Sequence, residues 1–285
     1  MRDLVILGST GSIGVQALEL VTANPGKFKV VGITSAGNNP SALIEQAKNF
    51  DVGVVGTIHN AELIREALPG VTVIDGDDAA AQVASITCDV VLNAITGSIG
   101  LAATLSALKV GNRLALANKE SLVAAGDLVM SLAKENQIIP VDSEHSALWQ
   151  CLMAGKITEV SKLILTASGG PFRERKDLSS VTIDQALAHP TWSMGPVISV
   201  NSATLVNKAH EIIEAHHLYK MEYSRIEAVI HPESVIHSMV EFVDGATIAQ
   251  ASPPNMKGPI AYAINCTNTV CNNAIKAKAG SDELS

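Results

Sequence analysis

The first 140 residues alternate between short apolar runs and segments with helical spacing, and this rhythm constrains the fold more than any other feature. Runs at 4–7, 30–33, 52–55, 71–74, 90–92 and 114–116 read as buried strands. Segments 16–23, 41–50, 61–68, 79–85, 101–108 and 121–135 carry apolar residues at helix period. Strands joined in turn by helices must lie parallel, with right-handed crossovers, which predicts an α/β fold built on a doubly wound, Rossmann-like sheet. Only four Phe, two Trp and three Tyr occur among 285 residues. The core must therefore be Val, Ile, Leu and Ala, as in strands covered by helices on both faces. Beyond residue 140 the order changes to a strand at 138–141, a helix at 146–154, a strand at 162–166, a Gly/Pro-rich loop and a long helix at 202–219. Strands at 226–230, 238–243 and 247–251 follow, so an α+β second domain is expected. The predicted division is 1–140, 141–264 and a divergent tail at 265–285, poor in large apolar residues and expected to be poorly ordered.

Composition narrows the function. Lys and Arg total 20 against 28 Asp and Glu, a net charge of −8. That argues against a broad basic face for nucleic acid and leaves anionic ligands to local groups. Cys88, Cys151, Cys266 and Cys271 form no Cys-x-x-Cys pair, and the start lacks a signal-peptide pattern, so a reducing cytoplasmic setting is expected. The uncharged stretch 90–108 is broken by Asn93, Thr96, Gly97, Ser98 and Gly100, which fits strand, loop and helix better than a membrane span.

Gly8-Ser9-Thr10-Gly11-Ser12-Ile13-Gly14 follows the first strand and opens the first helix. Glycines let the backbone turn tightly toward a pyrophosphate, and the helix N-terminus offers N–H groups and partial positive charge. The spacing is Gly-x-x-Gly-x-x-Gly rather than the strict dinucleotide fingerprint, and an ordinary strand–turn–helix connection is the competing explanation. The second strand runs into Thr34-Ser35-Ala36-Gly37-Asn38-Asn39 without an acid. A carboxylate there would bind a ribose 2′-hydroxyl, and its absence favours NADP over NAD.

Asn118-Lys119-Glu120 and Asp142-Ser143-Glu144 each stand at the carboxyl end of a predicted strand, where open α/β sheets bind ligands. Asp142 and Glu144, two apart, point to one side of an extended chain and offer hard oxygens to Mg²⁺ or Mn²⁺. A helix start with Ser143 as its cap accounts for the same residues without a ligand. On the long helix, Asn207, Lys208 and Glu211 share one face, with Ser202 upstream, which reads either as a solvated ion pair or as a polar stripe serving a site. His210-Glu211-x-x-Glu214 lacks the second histidine of the zinc-hydrolase motif. Ser168-Gly169-Gly170 can present N–H groups to a phosphate, and His189-Pro190-Thr191-Trp192-Ser193-Met194-Gly195 reads as a packed loop or a lid.

Together, segments 8–14, 94–100, 117–121, 140–145, 168–174, 189–195, 199–211 and 231–239 resemble the 1-deoxy-D-xylulose-5-phosphate reductoisomerase family of isoprenoid precursor biosynthesis, in family order, over residues 3 to about 260. The resemblance implies an oxidoreductase, homodimeric and cytoplasmic, that uses NADPH and Mg²⁺ or Mn²⁺ on a small phosphorylated sugar. Asp142, Glu144 and Glu211 would be the metal ligands and, with Lys119, the catalytic set. Substrate would be held by Lys119, Ser143, Glu144, Ser168, His189, Trp192, Ser202, Asn207, Lys208 and Glu211. NADPH would contact Thr10, Gly11, Ser12, Ile13, Gly37, Asn38, Asn39, Asn118, Glu120 and Gly195. The alternative is an NADP-binding protein of the same fold with impaired catalysis. Two departures stand out: the family's further helical domain is not recognisable after residue 265, and Asn255 replaces an Asp of the family pattern.

Overall fold

A computed structural model of the chain describes residues 1–188 and 195–265. Two compact units are present: Met1–Asp142 together with the chain from Met256, and Ser143–Asn255.

The first unit holds seven strands, β1 (Arg2–Leu7), β2 (Phe28–Ser35), β3 (Val54–Thr57), β4 (Thr72–Asp75), β5 (Val90–Asn93), β6 (Arg113–Leu116) and β7 (Ile138–Pro140). Between them run α1 (Ser12–Ala23), α2 (Pro40–Asn49), α3 (Ala61–Ala67), α4 (Ala79–Ala84), α5 (Gly100–Lys109) and α6 (Glu120–Leu132). The sheet order is β4-β3-β2-β1-β5-β6-β7, parallel throughout. The order reverses between β1 and β5, so the crevice for a ligand lies at their carboxyl ends. Leu4, Val5, Ile6, Val91, Leu92 and Leu114 are at most 1% exposed, which is why these runs show no polar alternation. β3 begins two residues later than its apolar run suggests, because Asp51 adopts a left-handed φ of 49° and Val52 closes the turn by donating to the Ala47 carbonyl.

The second unit comprises α7 (Ser143–Leu152), β8 (Val160–Ala167), α8 (Ile183–Leu187), α9 (Pro196–Ala203), α10 (Val206–Tyr219), β9 (Ile226–Ile230), β10 (Ile236–Phe242) and β11 (Thr247–Ala251). Its sheet has the order β11-β10-β8-β9, with β8 and β9 parallel and β10 antiparallel to both neighbours. Leu148, Leu163, Leu165, Ala215 and Val240 form a core between α7, α10 and the sheet.

Three expectations are corrected. The helix expected over 202–219 is two helices, because Leu205 adopts a left-handed φ of 60° and its N–H bonds to the Ser202 carbonyl. Helix α7 starts at Ser143 rather than 146, so Ser143 is a first-turn residue and not a cap. Helix α11 (Lys257–Asn265) packs on α1 of the first unit, where Lys257 pairs with Glu19 at 2.9 Å, so the expected second-domain range 141–264 ends too late. The expected tail falls almost wholly outside the described residues.

Gly14 is the tightest point of the first turn. A Cβ there would lie 2.4 Å from the Gly8 carbonyl oxygen and 2.5 Å from the Ser9 Cα, both backbone atoms. Gly14→Ala is expected to lower stability by about 1–3 kcal/mol through overpacking, read as a lower urea midpoint at unchanged slope.

Candidate active site

The nucleotide end is built where the sheet order reverses. Gly8, at φ 77°, leaves β1 so close to β5 that a Cβ would sit 2.8 Å from the Ala94 carbonyl oxygen. The Gly8 and Ser9 N–H groups both donate to the Thr34 carbonyl, and Gln46 donates to the Ser9 carbonyl at 3.0 Å. The turn is thus fixed from β2 and α2. Gly11 precedes α1 and no side chain caps that helix. The first-turn N–H groups beside Thr10, Ser12 and Ile13 form the kind of anion cradle that a pyrophosphate fills.

At the end of β2, buried Gly37 takes a φ of 83°, while Asn38 and Asn39 are exposed. Asn39 also caps α2 by accepting from the Ala42 N–H at 3.2 Å. Asn118 is 1% exposed, and its amide donates to the carbonyls of Ile95 (2.7 Å) and Gly97 (2.8 Å) and to Glu120 (3.0 Å). Its oxygen accepts from the Ser121 N–H. This side chain is spent on shaping the 95–97 loop, so any contribution to cofactor binding runs through that loop. Asn93, Thr104 and Ser121 complete a buried network under the same loop, with Asn93 donating to Thr104 at 2.9 Å and the Thr104 and Ser121 hydroxyls 2.9 Å apart. The sequence reading missed this network, although three polar residues on an otherwise apolar sheet end and its helices were its visible signal.

The acids converge. Asp142, Glu144 and Glu211 each offer a carboxylate oxygen, all within 4.8 Å of one another. Glu211 is 1% exposed. Lys119 pairs with Asp142 at 2.7 Å. Lys208 pairs with Glu144 at 3.2 Å and with Glu211, and it also donates to the Thr166 carbonyl. Ser143 donates to Glu144 at 2.6 Å, and Asn207 donates to Glu211. Three hard anionic oxygens this close fit Mg²⁺ or Mn²⁺ and not the softer zinc sets. His210 is not part of this group.

Beneath the acids lies a pair that the sequence reading passed over. His145 Nε2 is 3.3 Å from Glu214 Oε2, both residues are at most 3% exposed, and the Tyr219 hydroxyl donates to the His145 carbonyl at 2.6 Å. Their positions, next to Glu144 and three after Glu211, were the available signal.

The second unit also gathers the expected phosphate groups. Gly170, at φ 67°, packs so tightly that a Cβ would lie 2.7 Å from the Ser202 carbonyl oxygen, and its N–H bonds to the Ser168 hydroxyl at 3.3 Å. Ser168 and the helix break at Ser202 are therefore neighbours, although 34 positions separate them. Gly195 precedes α9 and is exposed. His189, Trp192 and Met194 lie outside the described residues.

Two family models match, 1-deoxy-D-xylulose 5-phosphate reductoisomerase over residues 4–126 and its C-terminal domain over 138–219. The 1-deoxy-D-xylulose 5-phosphate reductoisomerase of Streptomyces avermitilis is 56% identical over 272 residues, covering 91% of this chain and 69% of that protein. The chain belongs to the 1-deoxy-D-xylulose 5-phosphate reductoisomerase family. The reductoisomerase of Mycobacterium marinum is 55% identical, with 92% of this chain and 65% of that protein covered. This chain thus spans about two thirds of the length of these relatives. A crystal structure of DOX-P reductoisomerase with NADPH, fosmidomycin and magnesium matches with a TM-score of 0.88 at 39% identity, covering 93% of this chain and 69% of that one. The Zymomonas mobilis reductoisomerase in complex with NADPH matches at 0.85. The seven-stranded parallel sheet and the mixed four-stranded sheet both match the fold of these structures.

A cation at the three acids competes with the Lys208 ammonium for the same oxygens. Lys208→Met is expected to raise Mg²⁺ affinity about tenfold while lowering metal-free stability, because buried carboxylates lose their counter-charge. Calorimetric titration with Mg²⁺ and thermal unfolding with and without Mg²⁺ check both.

Proposed function

We propose that this chain is an NADPH- and divalent-metal-dependent reductoisomerase that converts 1-deoxy-D-xylulose 5-phosphate to 2-C-methyl-D-erythritol 4-phosphate, a step toward isoprenoid precursors. The observation that carries this reading is the convergence of Asp142, Glu144 and Glu211, in a chain that also has a glycine turn at its sheet reversal. The named relatives act on this substrate, and a solved relative holds NADPH and magnesium together.

The metal, when bound by Asp142, Glu144 and Glu211, supplies Lewis acidity to a carbonyl and its neighbouring hydroxyl, and NADPH supplies the hydride. This chain's residues do the rest. Lys119 holds Asp142 in place and Ser143 holds Glu144, so neither carboxylate has to reorganise when substrate arrives. Asn207 fixes Glu211, and Lys208, displaced from the carboxylates once a metal is bound, presents its positive charge to the substrate. The Ser168–Gly170 turn and Ser202 bind the phosphate, whose remote binding energy orients the reacting carbons. Thr10 to Ile13 cradle the pyrophosphate of NADPH, and Gly37, Asn38 and Asn39 leave the 2′-phosphate unopposed by acid. By the family resemblance, His189 and Trp192 contact the substrate and Gly195 contacts NADPH.

A homodimer fits the exposed apolar side chains of the second sheet's outer strands, Val229, Ile230 and Ile248. A reducing cytoplasmic setting fits the free thiols of Cys88 and Cys151, which burial pushes up to about 12 and about 11, so neither forms thiolate at neutral pH. Among the described residues, no helix is long and apolar enough to cross a membrane.

The test is NADPH consumption with 1-deoxy-D-xylulose 5-phosphate and Mn²⁺, with product identified by mass spectrometry. Turnover should stop with chelator, and Glu211→Gln should lower kcat by about a hundredfold or more while leaving NADPH affinity unchanged. NADPH binding without turnover under either metal would refute the activity.

A further inference from the structure

NADPH and NADH differ only by a phosphate on the adenosine ribose, so a chain that prefers one must read that position. With the pyrophosphate at the Gly8–Gly14 turn, the adenosine half lies over the carboxyl end of β2, where folds of this kind read the ribose 2′ position. Neither 34–40 nor 57–61, the turns after β2 and β3, carries an acid, an arginine or a lysine. The missing acid permits a 2′-phosphate but does not hold one. A dianion gains affinity from hydrogen bonds donated to it.

Most polar side chains of this corner are already committed. The Thr34 hydroxyl accepts from the Gly8 N–H at 3.2 Å, and the Ser35 hydroxyl accepts from the Gly37 N–H at 3.1 Å. Thr57 donates to the His59 carbonyl at 2.8 Å, Asn60 donates to the Gly37 carbonyl at 2.9 Å, and Asn39 caps α2. Lys48 stands in the last turn of α2, which has run back toward the amino ends of the strands. Arg65 is held by Glu62 and Asp75. Two exposed donors remain in these turns, Asn38 and His59. The backbone puts them together. The His59 N–H donates to the Ala36 carbonyl at 3.0 Å, and a Cβ on Gly37 would lie 2.2 Å from the His59 carbonyl oxygen. Only a glycine, here at φ 83°, lets the two turns press so close. The His59 ring has no hydrogen-bond or ion-pair partner among the described residues. An imidazole donates from one nitrogen when neutral and from both when charged, so it serves phosphate oxygens in either form.

We propose that His59 is the specificity-determining residue for the cofactor: its imidazole donates to the 2′-phosphate of NADPH, with Asn38 beside it as the second donor. The proposal rests on the NADPH reading above, which gives His59 no part. It makes the turn after β3, and not only the turn after β2, the place where NADPH is told from NADH.

The experiment is a calorimetric titration of the parent chain, His59→Ala, His59→Phe and His59→Arg with NADPH and with NADH, without metal or substrate. The parent should bind NADPH at least about tenfold more tightly than NADH. His59→Ala should weaken NADPH about tenfold and leave NADH and the thermal unfolding midpoint as in the parent, since the position is exposed. His59→Phe should match His59→Ala, because a ring without an N–H can stack on adenine but cannot donate to a phosphate. His59→Arg should restore the preference. Equal weakening of NADPH and NADH in His59→Ala, an undiminished preference in that variant, or full NADPH affinity in His59→Phe would overturn the proposal and leave the cofactor reading standing. A parent chain that binds neither dinucleotide, or both alike, would refute the cofactor reading and the proposal with it.

Discussion

Three carboxylates confined within 4.8 Å set the terms for everything around them. At an effective dielectric of about 20, each pair at that separation repels by roughly 3 kcal/mol, and three pairs together approach the whole stability of a domain. Such a cluster persists only with positive charge in its midst. Lys119 and Lys208 supply part of it, and their presence explains two otherwise puzzling buried lysines, 6% and 8% exposed. A divalent ion at the three acids would supply the rest, and with it the polarising power that the proposed chemistry needs.

The two units contribute through different physics. In the first, a parallel sheet whose order reverses between β1 and β5 leaves a crevice, and glycines without side chains let the chain turn there. Hydrogen bonds accepted by the Thr34 carbonyl and donated by Gln46 and Asn118 hold the crevice walls. In the second, the break at Leu205 turns one helix into two and brings Ser202 against the Gly170 turn. A continuous helix would carry Ser202 away along the axis at 1.5 Å per residue. A left-handed leucine is costly, and such strain gathers at functional sites, as at this proposed substrate site.

Much of this was legible in the chain. Apolar runs without alternation announced buried parallel strands, and the glycine turn announced the nucleotide end. The pair Asp142 and Glu144 was visible as an i, i+2 arrangement, whereas Glu211 joined it only through the family resemblance, because no local period links positions 67 apart. The break at Leu205 was invisible, since Thr-Leu-Val carries no glycine or proline to mark a helix end. The hydrogen bonds by which Asn118 holds a loop were not legible, because they depend on the carbonyls of Ile95 and Gly97 and so on tertiary placement. The His145–Glu214 pair escaped because neither residue is unusual until both are buried together.

The most direct measurement is an anomalous-difference map at the manganese absorption edge from crystals of this chain grown with Mn²⁺ and NADPH. The account predicts one strong peak bonded by carboxylate oxygens of Asp142, Glu144 and Glu211, with the Lys208 ammonium moved off those oxygens. A peak held by other residues, or no peak with the three acids still paired to their lysines, would contradict it.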